Sequence, residues 1–287
     1  MRGVDVTRTR TRTDERADKA DRAGAAASGP TGFGREVAAE WVRQSSLRST
    51  WWCVGAAVLG LAAFAAMMGF SSLSRITENA VEADSASFTQ LLSQGQFYIV
   101  QFTVLTLAAL AATGEFANGS VTSTLLWTPR RGRLLAARSV VTAGLAFAMG
   151  LGATVAGVAV LAVFLGRYVD VDVLGLLGTG VSAGVCMALF AVLFVGLGTA
   201  LRGTAGTITV GFLLLMGVPL VMQLSGVSLL DDLAALLPGL AGIEFYAGGD
   251  VGFYTSPHDG VVNVATVVGW AAAAQIVALA ELRVRDV

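Results

Sequence analysis

Apolar residues in this chain come in long unbroken runs, not in the alternation of a half-buried strand or the one-sided spacing of a soluble amphipathic helix. The first run, WWCVGAAVLGLAAFAAMMGF from Trp51 to Phe70, carries no charge at all. A helix rises ~1.5 Å per residue and a bilayer's hydrocarbon core is ~30 Å thick, so a spanning helix needs about 20 such residues. Further runs of that kind cover 97–113, 139–166, 174–201, 204–224 and 261–282. The pattern predicts an all-α membrane protein of six transmembrane helices. Pro219, inside the fifth run, is expected to bend or loosen the outer part of its helix.

The segments between the runs divide the rest of the chain. Residues 1–34, containing RTRTRTDERADKADRAGAAASGPTG, are polar and mixed in charge, cannot bury a core, and are expected to form a disordered tail. A polar leader of that length before Trp51 argues against a signal peptide. Residues 35–50, REVAAEWVRQSSLRST, place Val37, Ala38, Trp41, Val42 and Ser45 on one helical stripe, with Glu36, Glu40 and Arg43 elsewhere. This predicts an interfacial amphipathic helix with Trp41 at headgroup level, the alternative being a continuation of span one into water. Residues 51–287 then form the six-span domain. It is interrupted by a loop at 114–138 and by a segment at 225–260, whose LLDDLAALLPGLAGIEFY is long enough for re-entrant or surface helices.

Composition agrees with the pattern and charge adds orientation. Hydrophobic residues make up 55% of the 287 and charged ones 14%, against roughly 25% in soluble domains, and mean hydropathy is +0.70. If the N-terminus is cytoplasmic, 17 of the 19 Lys and Arg lie on the inner side and only Arg75 and Arg167 on the outer. That bias predicts an N-in, C-in topology and puts loop 114–138 in the cytoplasm. The net charge of −1 hides this asymmetry, because acids fall equally on the two sides.

Missing residue types exclude several chemistries. A phosphate-binding loop needs a lysine after its glycines, and the only lysine is Lys19, in the tail. The sole histidine, His258, stands beside Asp259 and is expected in a solvated loop, without the clustered ligands of a metal site. Cys53 and Cys186 lie within apolar runs and are expected as buried free thiols. The spans carry no acid, arginine or histidine near mid-bilayer for an ion relay. No catalytic residue, metal or cofactor is therefore expected in this chain, and nothing points to nucleic acid. What the spans do carry is Gln101, Thr103, Thr106, Ser182, Gln223, Asn263 and Gln275. These either join helices or line a route for an amphipathic molecule, with Gln101, Thr106, Gln223 and Asn263 as the candidate path. Gly180 and Gly184 form a G-x-x-x-G that predicts close helix packing.

Loop 114–138 has a character of its own. Val121, Leu125 and Leu126 fit an apolar patch on a short helix after Gly119, closed by Pro129. Glu115 ends span two, and Arg130, Arg131 and Arg133 follow at the membrane edge. Such arginines anchor headgroups and set topology, and the apolar patch suits a partner protein.

EWVRQSSLRSTWW and GEFANGSVTSTLLWTPRRGRLLAARSVV resemble the permease subunits of ABC-2-type transporters from high-GC Gram-positive bacteria. Those typically show E-W-x-K-L-R-S-x-R-S-T-W-W and G-E-[YF]-x-x-G-[ST]-[IV]-x-x-[ST]-L-x-x-x-P-R-R. Glu40, Trp41, Ser46, Arg48, Ser49, Thr50, Trp51 and Trp52 match the first; Gly114, Glu115, Gly119, Ser120, Thr124, Leu125, Pro129, Arg130 and Arg131 match the second. The family's K-L-R-S is here Gln44-Ser45-Ser46-Leu47, with the basic residue displaced to Arg43. The resemblance implies the permease half of an exporter of hydrophobic or amphipathic molecules in a bacterial plasma membrane. It would pair with a second copy or a sister subunit and be driven by a separate ATPase that binds ATP and Mg. Residues 120–127 would be the coupling helix, and Glu40, Trp41, Arg43 and Arg48 would mark the interfacial helix. The rival expectation is a non-transporting scaffold or sensor that binds a cytoplasmic partner through loop 114–138.

Overall fold

The computed structural model describes residues 31–79, 86–117, 131–168, 173–248, 254 and 256–284, and among these every regular element is helical. The tail up to residue 30 lies outside the described residues. α1, Thr31–Ser46, starts inside the segment expected to be disordered. It does not run on to residue 50. Leu47 interrupts it and α2, Arg48–Asn79, begins at once. The corner is held by hydrogen bonds: Thr50 Oγ1 donates to Gln44 O at 2.7 Å and Trp51 Nε1 to Ser45 O at 2.9 Å. α1 and span one are thus two helices joined at a fixed bend.

Among the described residues, six helices are long and apolar enough to cross a membrane: Arg48–Glu78, Phe88–Gly114, Gly132–Leu165, Leu174–Leu201, Thr204–Leu224 and Gly260–Val284. The protein is a multi-pass membrane protein by that measure. Large apolar side chains such as Leu59, Val163, Leu174 and Val221 lie exposed on the outside of the bundle, as a hydrocarbon surrounding allows. Two spans are not plain helices. Span two is α3, Ala86–Gly95, a π-helical turn Gln96–Val100, and α4, Gln101–Ala117. Span five is α7, Thr204–Phe212, a second π-turn Leu213–Gly217, and α8, Val218–Leu224. Pro219 lies in the first turn of α8, where its missing N–H costs least, so the irregularity expected from it falls just ahead of it.

Spans three and four are α5, Arg131–Leu165, and α6, Val173–Leu201. α6 is the central post, with Met187, Phe190 and Phe194 fully buried. Its G-x-x-x-G does what its spacing predicts. A Cβ on Gly150 of α5 would lie 3.0 Å from Gly184 Cα, and one on Gly184 would lie 3.0 Å from Phe147 O. Backbones this close admit only glycine on the seam. α9, Ser228–Ala235, and α10, Pro238–Ala247, follow span five, and α11, Gly260–Val284, is span six.

Candidate functional site

Among the described residues, a dense polar cluster lies beside the helix ends that flank residues 118–130. Glu40, Arg43 and Gln44 fall on one face of α1 by their i, i+3, i+4 spacing. That face turns into the protein. Glu40 is 4% exposed, and its carboxylate accepts Arg43 Nε at 2.8 Å, Arg43 Nη2, and Gln44 Nε2 at 2.9 Å. Arg138 of α5 forms a 3.4 Å ion pair with the same carboxylate. Gln44 Nε2 also donates to Thr142 Oγ1 at 3.0 Å. The two guanidinium groups then reach the last turns of α4: Arg43 donates to Ala111 O at 3.3 Å and Arg138 to Ala112 O at 3.2 Å. Carbonyls near a helix C-terminus carry partial negative charge, so cations there are favourably placed. A second ion pair, Arg133 to Glu36 at 3.5 Å, lies beside it.

The consequence is mechanical. α1, the end of α4 and the start of α5 are tied through one buried carboxylate, and the last two of these bracket residues 118–130. Thr113 and Thr204 share a 2.5 Å hydrogen bond that extends the tie to the start of span five. Burial by itself would raise the Glu40 pKa; the Arg43 hydrogen bond and the Arg138 charge outweigh it and hold the carboxyl below its ordinary value.

Trp41 and Val42 face outward, at 49% and 65% exposed, while Glu40 turns into the bundle and Arg43 is half-buried beside it. Arg48 is exposed in the first turn of α2 and takes no part in the cluster. The sequence pointed to no role for Arg138 and Thr142 and marked Gln44 only as a departure from the family's motif; the i, i+4 pairing of Arg138 with Thr142 was the available signal. In the loop set, Gly119, Ser120, Thr124, Leu125, Pro129 and Arg130 lie outside the described residues. Glu115 and Arg131 lie on the described backbones of α4 and α5.

At the opposite end of the bundle α10 is wedged among the spans. Pro238 to Glu244 and Tyr246 are all buried, so this helix of 10 residues is enclosed on nearly every side. Two glycines permit the approach. A Cβ on Gly239 would lie 1.8 Å from Leu215 O in the second π-turn, and one on Gly242 would lie 2.5 Å from Phe190 Cζ. Cys186 Sγ sits beneath, 3.7 Å from Gly242 O. Both cysteines are free and buried, as expected. The wedge is held by Trp270 Nε1 donating to Leu236 O at 2.9 Å and by Ser256 N donating to Glu244 Oε1 at 2.7 Å. Asn263 Nδ2 donates to His258 O at 3.3 Å. His258 is half-buried in this packed turn, which corrects its expected place in a solvated loop. Nearby, burial together with the charges of Glu244, Asp231 and Asp232 pushes the Tyr254 pKa to about 12, against a partial offset from Ser256.

The four residues of the candidate path are not brought together by hydrogen bonds. Asn263 fastens the wedge's turn, Thr106 donates to Phe102 O of its own helix, Gln223 is half-buried on α8, and Gln101 is fully buried on α4. Gln275, another of the span residues singled out in the sequence, does join helices, donating to Val192 O at 2.7 Å and Ser139 Oγ at 3.1 Å. A cavity of about 140 Å³ lies between α5 and α6, lined by Leu151, Thr154, Val155, Val158, Leu176, Leu177 and Gly180. Among the described residues no group of three or more His, Cys, Asp or Glu is placed to hold a metal ion. In comparisons with known proteins, no family model and no curated protein matches the chain.

Proposed function

We propose that this chain is the membrane half of an exporter driven by a separate ATPase, with its N- and C-termini and loop 118–130 on the cytoplasmic side. The observation that carries the reading is the Glu40 junction. It ties the two helices bracketing the loop to each other and to α1, so a protein gripping the loop would pull α4 and α5 as one body. An apolar loop patch followed by arginines suits such a grip, and the resemblance of both motifs to ABC-2-type permeases points the same way. Work enters at this end, since the chain has no phosphate-binding loop of its own.

The second element of the reading is α10. Wedged into the far end of the bundle against both π-turned spans, it is the natural outer gate, and its withdrawal would open that end. Cycles of ATP binding in the partner would swing spans two and three and release the wedge in alternation. The cargo would be uncharged or amphipathic, because the buried span positions offer amides and hydroxyls and no fixed charge at mid-depth. A second copy of this chain, or a sister subunit, would complete the conduit.

The test is reconstitution with an ATPase encoded beside this chain. The complex should co-purify, and Glu40→Gln should leave it assembled while lowering ATP hydrolysis in lipid nanodiscs. A complex indifferent to Glu40→Gln removes the coupling role. A chain that binds a partner with no ATPase activity is the scaffold instead. Cysteine labelling of Trp127→Cys from the outer face of intact cells would overturn the orientation.

A further inference from the structure

Span two carries polar side chains on its buried face that its neighbours leave unsatisfied. Ser93, Gln96 and Gln101 are 0%, 1% and 0% exposed. Thr103, Thr106 and Thr113 on the same span each donate to a carbonyl three or four residues back. Ser93 Oγ does not, and it has no partner among the described residues. Gln96 spends its amide N–H groups on Gly150 O and Thr154 Oγ1, both at 2.8 Å, and its Oε1 has no partner among the described residues. Neither amide atom of Gln101 has a partner among the described residues.

The π-turn aligns these groups. Gln101 N–H bonds Gln96 O, five residues back instead of four. One extra residue in a turn delays everything after it by about 100°. Gln101 therefore sits where the seventh residue beyond Ser93 would be in a plain helix. Ser93, Gln96 and Gln101 occupy i, i+3 and i+7 of one face. Without the bulge Gln101 would point some 140° away from Gln96. Three residues of rise is ~4.5 Å, a gap that one water with two hydrogen bonds of ~2.8 Å spans.

The geometry points to a buried water-binding site on span two, in which Ser93, Gln96 and Gln101 hold a short file of water molecules. A buried water makes ~3 hydrogen bonds, and the free oxygens and amide of these residues supply them. In an apolar bundle no other solvent can satisfy a glutamine amide. The site does not depend on the transporter reading: it would exist in a scaffold of the same fold.

Millisecond X-ray radiolysis of the full chain in lipid nanodiscs tests it, because a bound water generates hydroxyl radical where it sits. Phe97, 3% exposed, and Met149, 1% exposed and adjacent to the Gly150 that Gln96 binds, should be oxidised although sealed from solvent. Phe190, 0% exposed under α10, should stay unlabelled. The Ser93→Ala/Gln101→Leu variant should lose the label at Phe97. Its folding is checked by monodisperse elution, and Gln101→Met serves where leucine does not fold. Inert Phe97 and Met149 in the wild-type chain, or labels unchanged in the variant, would overturn the site. So would a rise in melting temperature on Gln101→Leu without any label, which would mark a merely frustrated amide.

Discussion

Replacing Gly239 by alanine should drive α10 out of its seat. The added Cβ would lie 1.8 Å from Leu215 O, 2.6 Å from Leu215 C and 2.8 Å from Leu215 Cα, all backbone atoms of the second π-turn that cannot swing aside. Ordinary contact returns only if the wedge retreats by on the order of 1.5 Å. A rigid overpacking of this kind costs about 3 kcal/mol, the upper end for one added methyl group. The retreat has a built-in reporter in Cys186, whose Sγ lies 3.7 Å from Gly242 O on the same helix and is fully buried. In a Cys53→Ala background, maleimide labelling of Cys186 in detergent should accelerate in Gly239→Ala as the melting temperature falls. Gly248→Ala is the control. Gly248 has φ +66 and open space around it, so alanine there adds backbone strain of about 1 kcal/mol and no clash with the spans. Cys186 should stay protected in that variant. A Gly239→Ala protein with wild-type melting and unlabelled Cys186 would refute the tight seating of α10.

Three further outcomes follow from the geometry. Glu40→Ala should cost about 3 kcal/mol, because it removes the buried carboxylate that Arg43 and Arg138 both face; adding Arg138→Met should recover part of the loss in thermal unfolding. Gly184→Val should destabilise by about 2 kcal/mol through the seam of α5 and α6. Gly144→Ala, on the same α5 but with nothing within 4 Å, should be neutral or slightly stabilising by circular-dichroism melting. Stability should vary with pH at two edges. Glu40 is held below its ordinary 4.5, so its contribution is present above that pH and lost as pH falls through the lower folded-state value. Tyr254 is raised from 10 to about 12, so its contribution is present below pH 10 and lost as pH rises towards 12. A flat melting profile for wild type against Glu40→Gln on the acid side, or against Tyr254→Phe on the alkaline side, would contradict these assignments.

The six spans were legible in the sequence because hydrocarbon asks only for length and apolarity, and an uncharged run such as Trp51 to Phe70 meets both wherever it packs. The glycine seam was legible too, since G-x-x-x-G puts two residues without side chains on one face whatever lies opposite. That Gly150 lies opposite was not in the spacing. Tertiary structure decided everything that depends on which way a polar group turns. Glu40 reads only as a polar residue off the apolar stripe of an interfacial helix until Arg138, 98 residues on, is brought against it. Gln101 reads as helix glue or as path lining until a π-turn rotates it onto the face of Ser93 and Gln96. The wedge reads equally as a re-entrant or a surface helix until Gly239 is seen against the backbone of Leu215. Local chemistry fixes what a segment can dissolve in; a polar atom's partner comes from another segment, and only packing selects it.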